Sequence, residues 1–368
     1  MIEIKTLDKK LLLEYINSVH FGKEHDIPIT IHRALSQVKN PRLDEGDVIL
    51  LLALDNGNLV GYLGILPDTI FFEKKDPVKI GWLSSLWVLQ HARGKGISFE
   101  LITKSLELWN NKILSADFVP YTKNIYDKTK QFIDKPYSKK GIRLYIKSDL
   151  FTILPPKNEL FSKLKWLLAA IDFCANSILN ILLRFFKVDV SQLYFEYINQ
   201  IDDEVNDFIL TKQEKQLFKR NEEDLNWIIK NPWILSANQK DNLNKKYHFS
   251  STAKSFNFHS LKIRNSAKEM TGFMIFSRKD NTLKLPYFYH DNCIDSIINV
   301  LNYHIIKWNI NTFTCFHPEL VQGLKDKKNP AIFKRELERN YMVSSVFKDE
   351  IINSDIEIQD GDGDCCFT

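Results

Sequence analysis

Glycine and proline are scarce in this chain of 368 residues, numbering 13 and 12. That excludes collagen-like, linker-like and glycine-rich repeat classes. Cysteine is sparse too. Cys174, Cys293, Cys315, Cys365 and Cys366 are odd in number and match no zinc or redox spacing. No bound metal is expected, and reduced thiols in a cytoplasmic protein fit best. Neither charge sign dominates: 50 Lys and Arg against 46 Asp and Glu leave a formal charge of +4. Electrostatic binding to nucleic acid needs a basic stripe. The chain offers only the pairs Lys139-Lys140 and Lys327-Lys328, which read as solvated loops, so no nucleic-acid partner is expected. The N-terminal MIEIKTLDKK lacks the basic-then-apolar order of a secretory signal. What is present is a folded protein's composition, since 44% hydrophobic and 12% aromatic residues exclude global disorder. At roughly 150 residues per domain, the length implies two domains.

One segment is apolar enough to suggest a membrane. Trp166 to Phe186 reads WLLAAIDFCANSILNILLRFF, but Asp172, Asn176, Asn180 and Arg184 recur every fourth residue. Four polar groups on one helical face are expensive in lipid. The spacing predicts an amphipathic connecting helix within 151–190, buried on its wide apolar side between domains, with no integral membrane insertion.

Before this segment the pattern is mixed. Ile2 to Ile4 is a strand candidate and Leu11 to Val19 a helix. The apolar run Val48 to Leu54, the turn Asp55-Asn56-Gly57-Asn58 and the run Leu59 to Leu66 make a hairpin. Lys79 to Leu89 is another strand, followed by a helix with Phe99, Ile102, Leu106 and Trp109 on its buried face. Ile113 to Val119 reads as a strand, Asn124 to Phe132 as a helix and Ile142 to Lys147 as an edge strand. A similar order returns after the connecting helix. Tyr194 to Ile198, then Phe256 to Ile263, Thr271 to Ser277 and Thr282 to Tyr289 read as strands, with Asp202 to Phe218 helical between. Asp291 to Trp308 is a long helix, Thr312 to Phe316 a strand, and Pro318 opens a further helix.

The stretch that carries chemistry is Leu86-Trp87-Val88-Leu89-Gln90-His91-Ala92-Arg93-Gly94-Lys95-Gly96-Ile97-Ser98. Two glycines between a strand and a helix let backbone approach a ligand closely. The open N–H groups and positive dipole end of the helix suit a pyrophosphate. The dinucleotide fingerprint fails because Phe99 stands at its third glycine, and no Gly-Lys-Ser/Thr exists for a P-loop.

Strand, Arg93-Gly94-Lys95-Gly96-Ile97-Ser98 and helix together resemble the acyl-CoA motif of the GNAT superfamily of N-acyltransferases, Arg93 and Gly96 fitting and Ser98 replacing the final small residue. The resemblance covers roughly residues 48 to 133. It implies an α/β (α+β) protein of two tandem GNAT-like domains, each a mixed, mostly antiparallel central sheet flanked by helices. The boundaries are 1–150, a connecting helix in 151–190, a degenerate second domain at 191–355 and a tail at 356–368. It also implies acetyl-CoA or another acyl-CoA as co-substrate, with the pyrophosphate on the backbone from Arg93 to Ser98 and the pantetheine arm along Leu86, Trp87 and Val88. A small-molecule amine, possibly an amino sugar, would be the acceptor.

The family's acid is a Tyr early in the helix after the fifth strand. Tyr126 in Asn124-Ile125-Tyr126-Asp127-Lys128 is its counterpart, and Tyr121 is the second candidate. The fourth strand, Gly81-Trp82-Leu83-Ser84-Ser85, carries no carboxylate for a base. Ser84 or Ser85 would relay a proton through water; His91, His25 and Asp26 are further candidates. The second half enters its long helix through Phe288-Tyr289-His290-Asp291-Asn292-Cys293, without glycine or arginine, so it is expected to hold no cofactor. The tail, Asp360-Gly361-Asp362-Gly363-Asp364-Cys365-Cys366-Phe367-Thr368, fails as a calcium loop and as a prenylation site, and is expected to fray or to pair at a sheet edge. Two other functions stay open. Tandem GNAT-like folds also resemble aminoacyl-tRNA-dependent ligases, against which the intact R-G-K-G and the modest charge argue. A non-enzymatic acyl-CoA or protein binder is favoured by the missing strand carboxylate.

Overall fold

Apolar runs become strands and 3.6-residue stripes become helices in the computed structural model, which describes residues 2–73, 75–191, 193–236, 245–352 and 355–367. The first series is β1 (Ile2–Leu7), α1 (Lys9–Asn17), α2 (Ile31–Gln37), β2 (Leu50–Asp55), β3 (Asn58–Ile70), β4 (Val78–Val88), α3 (Ile97–Leu108), β5 (Ile113–Ala116), α4 (Pro120–Thr129) and β6 (Tyr137–Tyr145). The connecting helix is α5 (Lys165–Arg184). The second series is β7 (Tyr194–Ile198), α6 (Asp203–Leu210), α7 (Glu222–Lys230), β8 (Leu235–Ser236), β9 (Thr252–Ala253), β10 (Phe256–Arg264), β11 (Met270–Lys279), β12 (Thr282–His290), α8 (Ile294–Lys307), β13 (Thr312–Cys315), α9 (Pro318–Asp326) and β14 (Phe333–Val343).

These elements form two units. One holds residues 1–139, 200–256 and 339–368; the other holds 140–199 and 257–338. In the first, β1, β2, β3 and β4 pair antiparallel in that order, β4 pairs with β5 in parallel, and β5 pairs antiparallel with the end of β14, Tyr341 facing Ala116. In the second, β7 pairs with β10 and β11 with β12 antiparallel, β12 pairs with β13 in parallel, and β13 pairs antiparallel with β6, Thr312 facing Tyr145. The order of the first sheet thus recurs in the second, but each series supplies the last strand of the other unit's sheet. The linear boundaries at 150, 191 and 355 therefore do not mark the units. Strand pairing decides membership, and the hydrophobic pattern of a strand does not name its partner. For the same reason Ile142–Lys147 is no edge: β13 pairs on one side of Tyr145, and the Ile332 N–H donates to the Tyr145 carbonyl at 2.8 Å.

The first unit's sheet is filled on one side by Leu51, Leu63, Ile65, Leu101, Ile102, Leu106 and Ile113, and on the other by Leu12, Ile16, Leu50, Leu52 and Tyr62. Phe99 departs from the expected stripe. It is exposed, and Ile97, Leu101, Ile102, Ser105 and Leu106 form the buried face of α3. The helix expected over Asp202–Phe218 stops at Leu210, and Gln213, Gln216, Leu217 and Phe218 are buried beyond it.

Two further expectations are overturned. The connecting helix is inverted. Asp172 accepts from the Ser148 hydroxyl at 2.6 Å and from the backbone N–H groups of Leu150 and Phe151 at 2.9 and 2.8 Å. Asn176 pairs with both backbone groups of Ser148 at 2.8 Å, and Asn180 accepts from Lys147. Asp172 and Asn176 of the polar stripe thus face the protein, Asn180 and Arg184 are exposed, and most of the apolar residues are left outside. Hydrogen bonds that satisfy a buried polar face outweigh the gain from burying it the other way round.

The tail does not fray. Glu357 exchanges backbone hydrogen bonds of 2.8 Å with Lys215 and Leu217. Lys139, read as solvated, is buried and donates to the Ile358 carbonyl. Arg220 then clamps the tail. Its guanidinium donates to both carboxylate oxygens of Asp68 at 2.9 and 2.7 Å and to Asp362 at 2.8 Å, all three side chains being almost wholly buried. Burial pushes Asp362 up to about 6, opposed by Arg220. Asp68 takes a further bond from Trp82 Nε1 at 3.1 Å, and Gly363 lies against the Trp82 ring at φ +70°. Removing one partner of such a cluster leaves buried charge without compensation. Arg220→Ala is expected to lower stability by about 3–5 kcal/mol, read as a fall in the urea midpoint at unchanged slope. An unmoved midpoint contradicts the role given to this cluster.

Candidate active site

β4 is irregular where the chemistry is expected. Its register against β3 shifts between Ser84, opposite Gly64, and Trp87, opposite Tyr62, so Ser85 and Leu86 share one residue, Leu63. Ser85 has φ +62°, a left-handed backbone uncommon outside glycine and typical of a bulge. Gly64 permits the close approach, because a Cβ there would lie 2.9 Å from the Ser84 carbonyl oxygen. Parallel pairing with β5 ends at Leu83 and Ser115. Beyond that point the two strands part, and among the described residues β4 from Ser85 to Val88 has no strand partner on the β5 side. Two clefts of about 920 and 500 Å³ open there, and Leu86, Val119 and Thr122 line both.

The larger cleft gathers the expected cofactor residues. Leu86, Trp87, Val88, Arg93, Gly94, Gly96, Ile97 and Ser98 line it together with Tyr121, Ile125 and Lys128 from α4. Lys95 does not line it and is exposed. Gly94 and Gly96 both have φ +83°, and a Cβ on either would meet nothing within 4 Å. Glycine is needed there for backbone conformation rather than for room in the free protein. Gly96 caps α3 without a side-chain bond, so the first-turn N–H groups are open toward an anion. Arg93 folds back, its Nε donating to the Val88 carbonyl at 3.2 Å.

The smaller cleft holds the expected proton-transfer groups. Tyr126, 3% exposed, donates from its hydroxyl to Ser115 Oγ at 2.9 Å and packs edge-on against Phe118. Burial pushes its pKa up to about 12, against the lowering effect of the Ser115 bond. Tyr121 is 65% exposed and lines only the larger cleft. Ser84 Oγ accepts from Arg33 Nη2 at 2.9 Å, and Ser85 Oγ accepts from the Tyr247 hydroxyl at 3.1 Å. His91, His25 and Asp26 line neither cleft. Asp26 is held instead between His25 and His248 at 3.0 and 2.9 Å.

Sequence reasoning missed the wall opposite β4. Asp364 accepts a hydrogen bond from the Ser84 hydroxyl and lines the smaller cleft with Arg33, Trp233, Phe249, Ser250, Ser251 and Phe367. The strand without a carboxylate thus receives one from the tail, 280 residues away. Burial raises the pKa of Asp364, while Ser84 and Arg33 act to lower it. Trp233 is stacked between Phe367, 4.3 Å away at 12°, and the Arg33 guanidinium at 3.8 Å. A run of Asp and Gly closed by Cys-Cys-Phe does signal a turn followed by a buried end, but nothing local names the partners.

The burial of Tyr126 has an optical consequence. In alkaline titration followed by tyrosinate absorbance, wild type and Tyr126→Phe are expected to coincide up to pH 11, because this phenol stays protonated until about 12. A one-tyrosine difference with a midpoint near 10 contradicts the burial.

Residues 16–117 match the model of the Acetyltransferase (GNAT) family. No sequence among curated proteins matches the chain. Among solved structures, a GCN5-related N-acetyltransferase from Anabaena variabilis is 11% identical, with a TM-score of 0.52 over 93% of this chain and 72% of that one. A probable N-acyltransferase from Enterococcus faecalis is 12% identical, with a TM-score of 0.53 over 95% of this chain and 75% of that one. At these identities the structures speak to the fold, and their coverage takes in both series of elements. The family match falls on the hairpin, the bulged strand, the glycine turn and α3. The chain therefore carries, at residues 16–117, a domain of the GNAT superfamily of acyl-CoA-dependent N-acyltransferases.

Proposed function

We propose that this chain transfers an acyl group, acetyl in the simplest case, from acyl-CoA to a primary amine on a small hydroxyl-rich molecule such as an amino sugar. One observation carries the reading: Ser84, Ser85, Asp364 and Tyr126 line a single cleft of about 500 Å³ that shares a wall with the cleft of the glycine turn. That volume is in the range of small-molecule sites. The hydroxyl-bearing Ser84, Ser85, Ser115, Thr122, Ser250 and Ser251 line it with Arg33 and the apolar Phe249. Such a lining suits a polyol better than an alkyl amine.

In the larger cleft, the turn from Arg93 to Ser98 would hold the pyrophosphate on backbone N–H groups and the α3 dipole. The unpartnered edge of β4 from Leu86 to Val88 would carry the pantetheine arm and bring the thioester to the bulge. Asp364, as carboxylate, would accept a proton from the substrate ammonium, directly or through the Ser84 hydroxyl. The freed amine attacks the thioester carbonyl. A backbone N–H on the open edge of β4 would bind the oxyanion. As the tetrahedral intermediate collapses, the C–S bond breaks, the Tyr126 hydroxyl gives its proton to the departing sulfur, and the second proton on the nitrogen passes to the Tyr126 phenolate, leaving amide, thiol and neutral Tyr126. Its raised pKa keeps Tyr126 protonated at neutral pH. The missing strand carboxylate was the feature that favoured a non-catalytic binder, and Asp364 fills that gap.

Acyl-CoA at 100 times its dissociation constant should stabilise the protein by about 2.7 kcal/mol. Gly96→Ala, strained at φ +83°, is expected to lose most of that thermal shift. Asp364→Asn should keep the shift while lowering kcat/KM about 10²–10⁴-fold in a free-thiol release assay. The pH dependence follows from the raised pKa of Asp364. Wild-type kcat/KM falls as pH drops through it, because a protonated carboxyl cannot accept the ammonium proton. Asp364→Asn should flatten that acid limb. An unchanged limb in the variant, or no thermal shift with any acyl-CoA, contradicts the assignment.

A further inference from the structure

The inverted helix α5 has an outer face that nothing among the described residues covers. Of its twenty residues only Leu168 and Asp172 are buried. Trp166 is 71%, Phe173 75% and Phe185 78% exposed, and Ile178, Ile181 and Leu182 stand out between them. Scattered apolar residues on a surface are ordinary, whereas a contiguous apolar stripe marks an interaction face.

The charges around the stripe say what fits it. Between residues 157 and 187 the cations are Lys157, Lys163, Lys165, Arg184 and Lys187, and all five are exposed. They lie at the two ends of α5, beyond or beside Trp166 and Phe185. The acids of that span are Glu159 and Asp172, and Asp172 is turned inward onto Ser148, Leu150 and Phe151. A second copy of the chain suits this face poorly. In an isologous contact the stripe meets itself, and either helix direction brings the five cations of each copy together with only the exposed Glu159 and Asp189 to offset them. Long basic side chains that flank an apolar, aromatic-ended stripe do suit phosphate headgroups above an acyl layer.

The helix is also long and apolar enough to cross a membrane by length and composition. Its inner face rules out that orientation in the folded protein. Asp172, Asn176 and Asn180 hold the segment Lys147–Phe151 along half the length of α5, and Lys147 reaches on to Asn309. A helix fastened lengthwise to its own unit can present one side to lipid but cannot be threaded through it.

We infer that α5 is an in-plane docking helix by which this protein sits on an anionic lipid surface, with Trp166, Phe173, Ile178 and Phe185 entering the headgroup–acyl boundary and the flanking cations meeting lipid phosphates. This inference stands apart from the acyl-transfer reading, since it uses no residue of either cleft.

Flotation of the full chain with vesicles tests it. Wild type is expected to float with phosphatidylcholine–phosphatidylglycerol vesicles at low salt, and at least tenfold less with phosphatidylcholine alone or at high salt. Phe173→Asn/Ile178→Asn/Phe185→Asn should lose binding at least tenfold with an unchanged melting temperature, because these side chains are exposed. Lys163→Glu/Lys165→Glu should lose the phosphatidylglycerol dependence. Wild type that stays unbound in every mixture overturns the inference. So does a lipid-independent, concentration-dependent dimer that the three-Asn variant dissolves, which would assign the face to a second copy.

Discussion

The Arg220 guanidinium between Asp68 and Asp362 is the constraint on which the candidate site depends. One buried cation fixes two buried carboxylates, one on β3 and one in the tail. Charge in a low-dielectric interior tolerates little displacement, because each lost bond exposes an ion that nothing else compensates. Two residues beyond Asp362, Asp364 is thereby delivered to Ser84 on the bulge of β4. A segment of glycines and aspartates has little conformational preference of its own, and here ionic bonding replaces propensity as the source of order.

The first unit divides its labour between two kinds of geometry. A glycine turn before α3 is a local device that offers N–H groups to an anion. The parting of β4 from β5 is a sheet-level device that opens space without breaking the core on either side. Trp233, Phe249, Ser250 and Ser251, with Asp364, Cys365 and Phe367, then wall the space opposite β4. The proposed acceptor side is therefore assembled from chain segments distant in sequence. The second unit repeats the strand order without the glycine turn. Asn292 takes the left-handed conformation at its helix entrance, and no glycine gives backbone access there. Strand order is shared between the units, but the glycine turn is not.

What the sequence made legible follows from how local the information is. The hairpin at Asp55–Asn58, the turn at Arg93–Ser98 and the strand–helix order are encoded within a few residues of where they act. Eight of the nine expected cofactor residues lie on one cleft for that reason, and Tyr126 could be placed because it follows β5 directly. The rest depends on partners far away. Strand exchange between the units, the burial of Lys139 under Ile358 and the pairing of Ser84 with Asp364 leave no periodic trace. The orientation of α5 was ambiguous for a different reason. An amphipathic pattern states that two faces differ, and says nothing about which one meets the protein. Backbone N–H groups at Leu150 and Phe151 needing acceptors decided it in favour of Asp172.

In the proposed mechanism the tail completes the site by supplying its base. The most direct measurement is the titration of the Asp364 carboxyl carbon by ¹³C NMR, set beside the acid limb of kcat/KM for the same protein. A midpoint above the ordinary aspartate value, shared by both curves, is expected. An Asp364 that titrates at the ordinary value, or at a midpoint different from that of the acid limb, would contradict it.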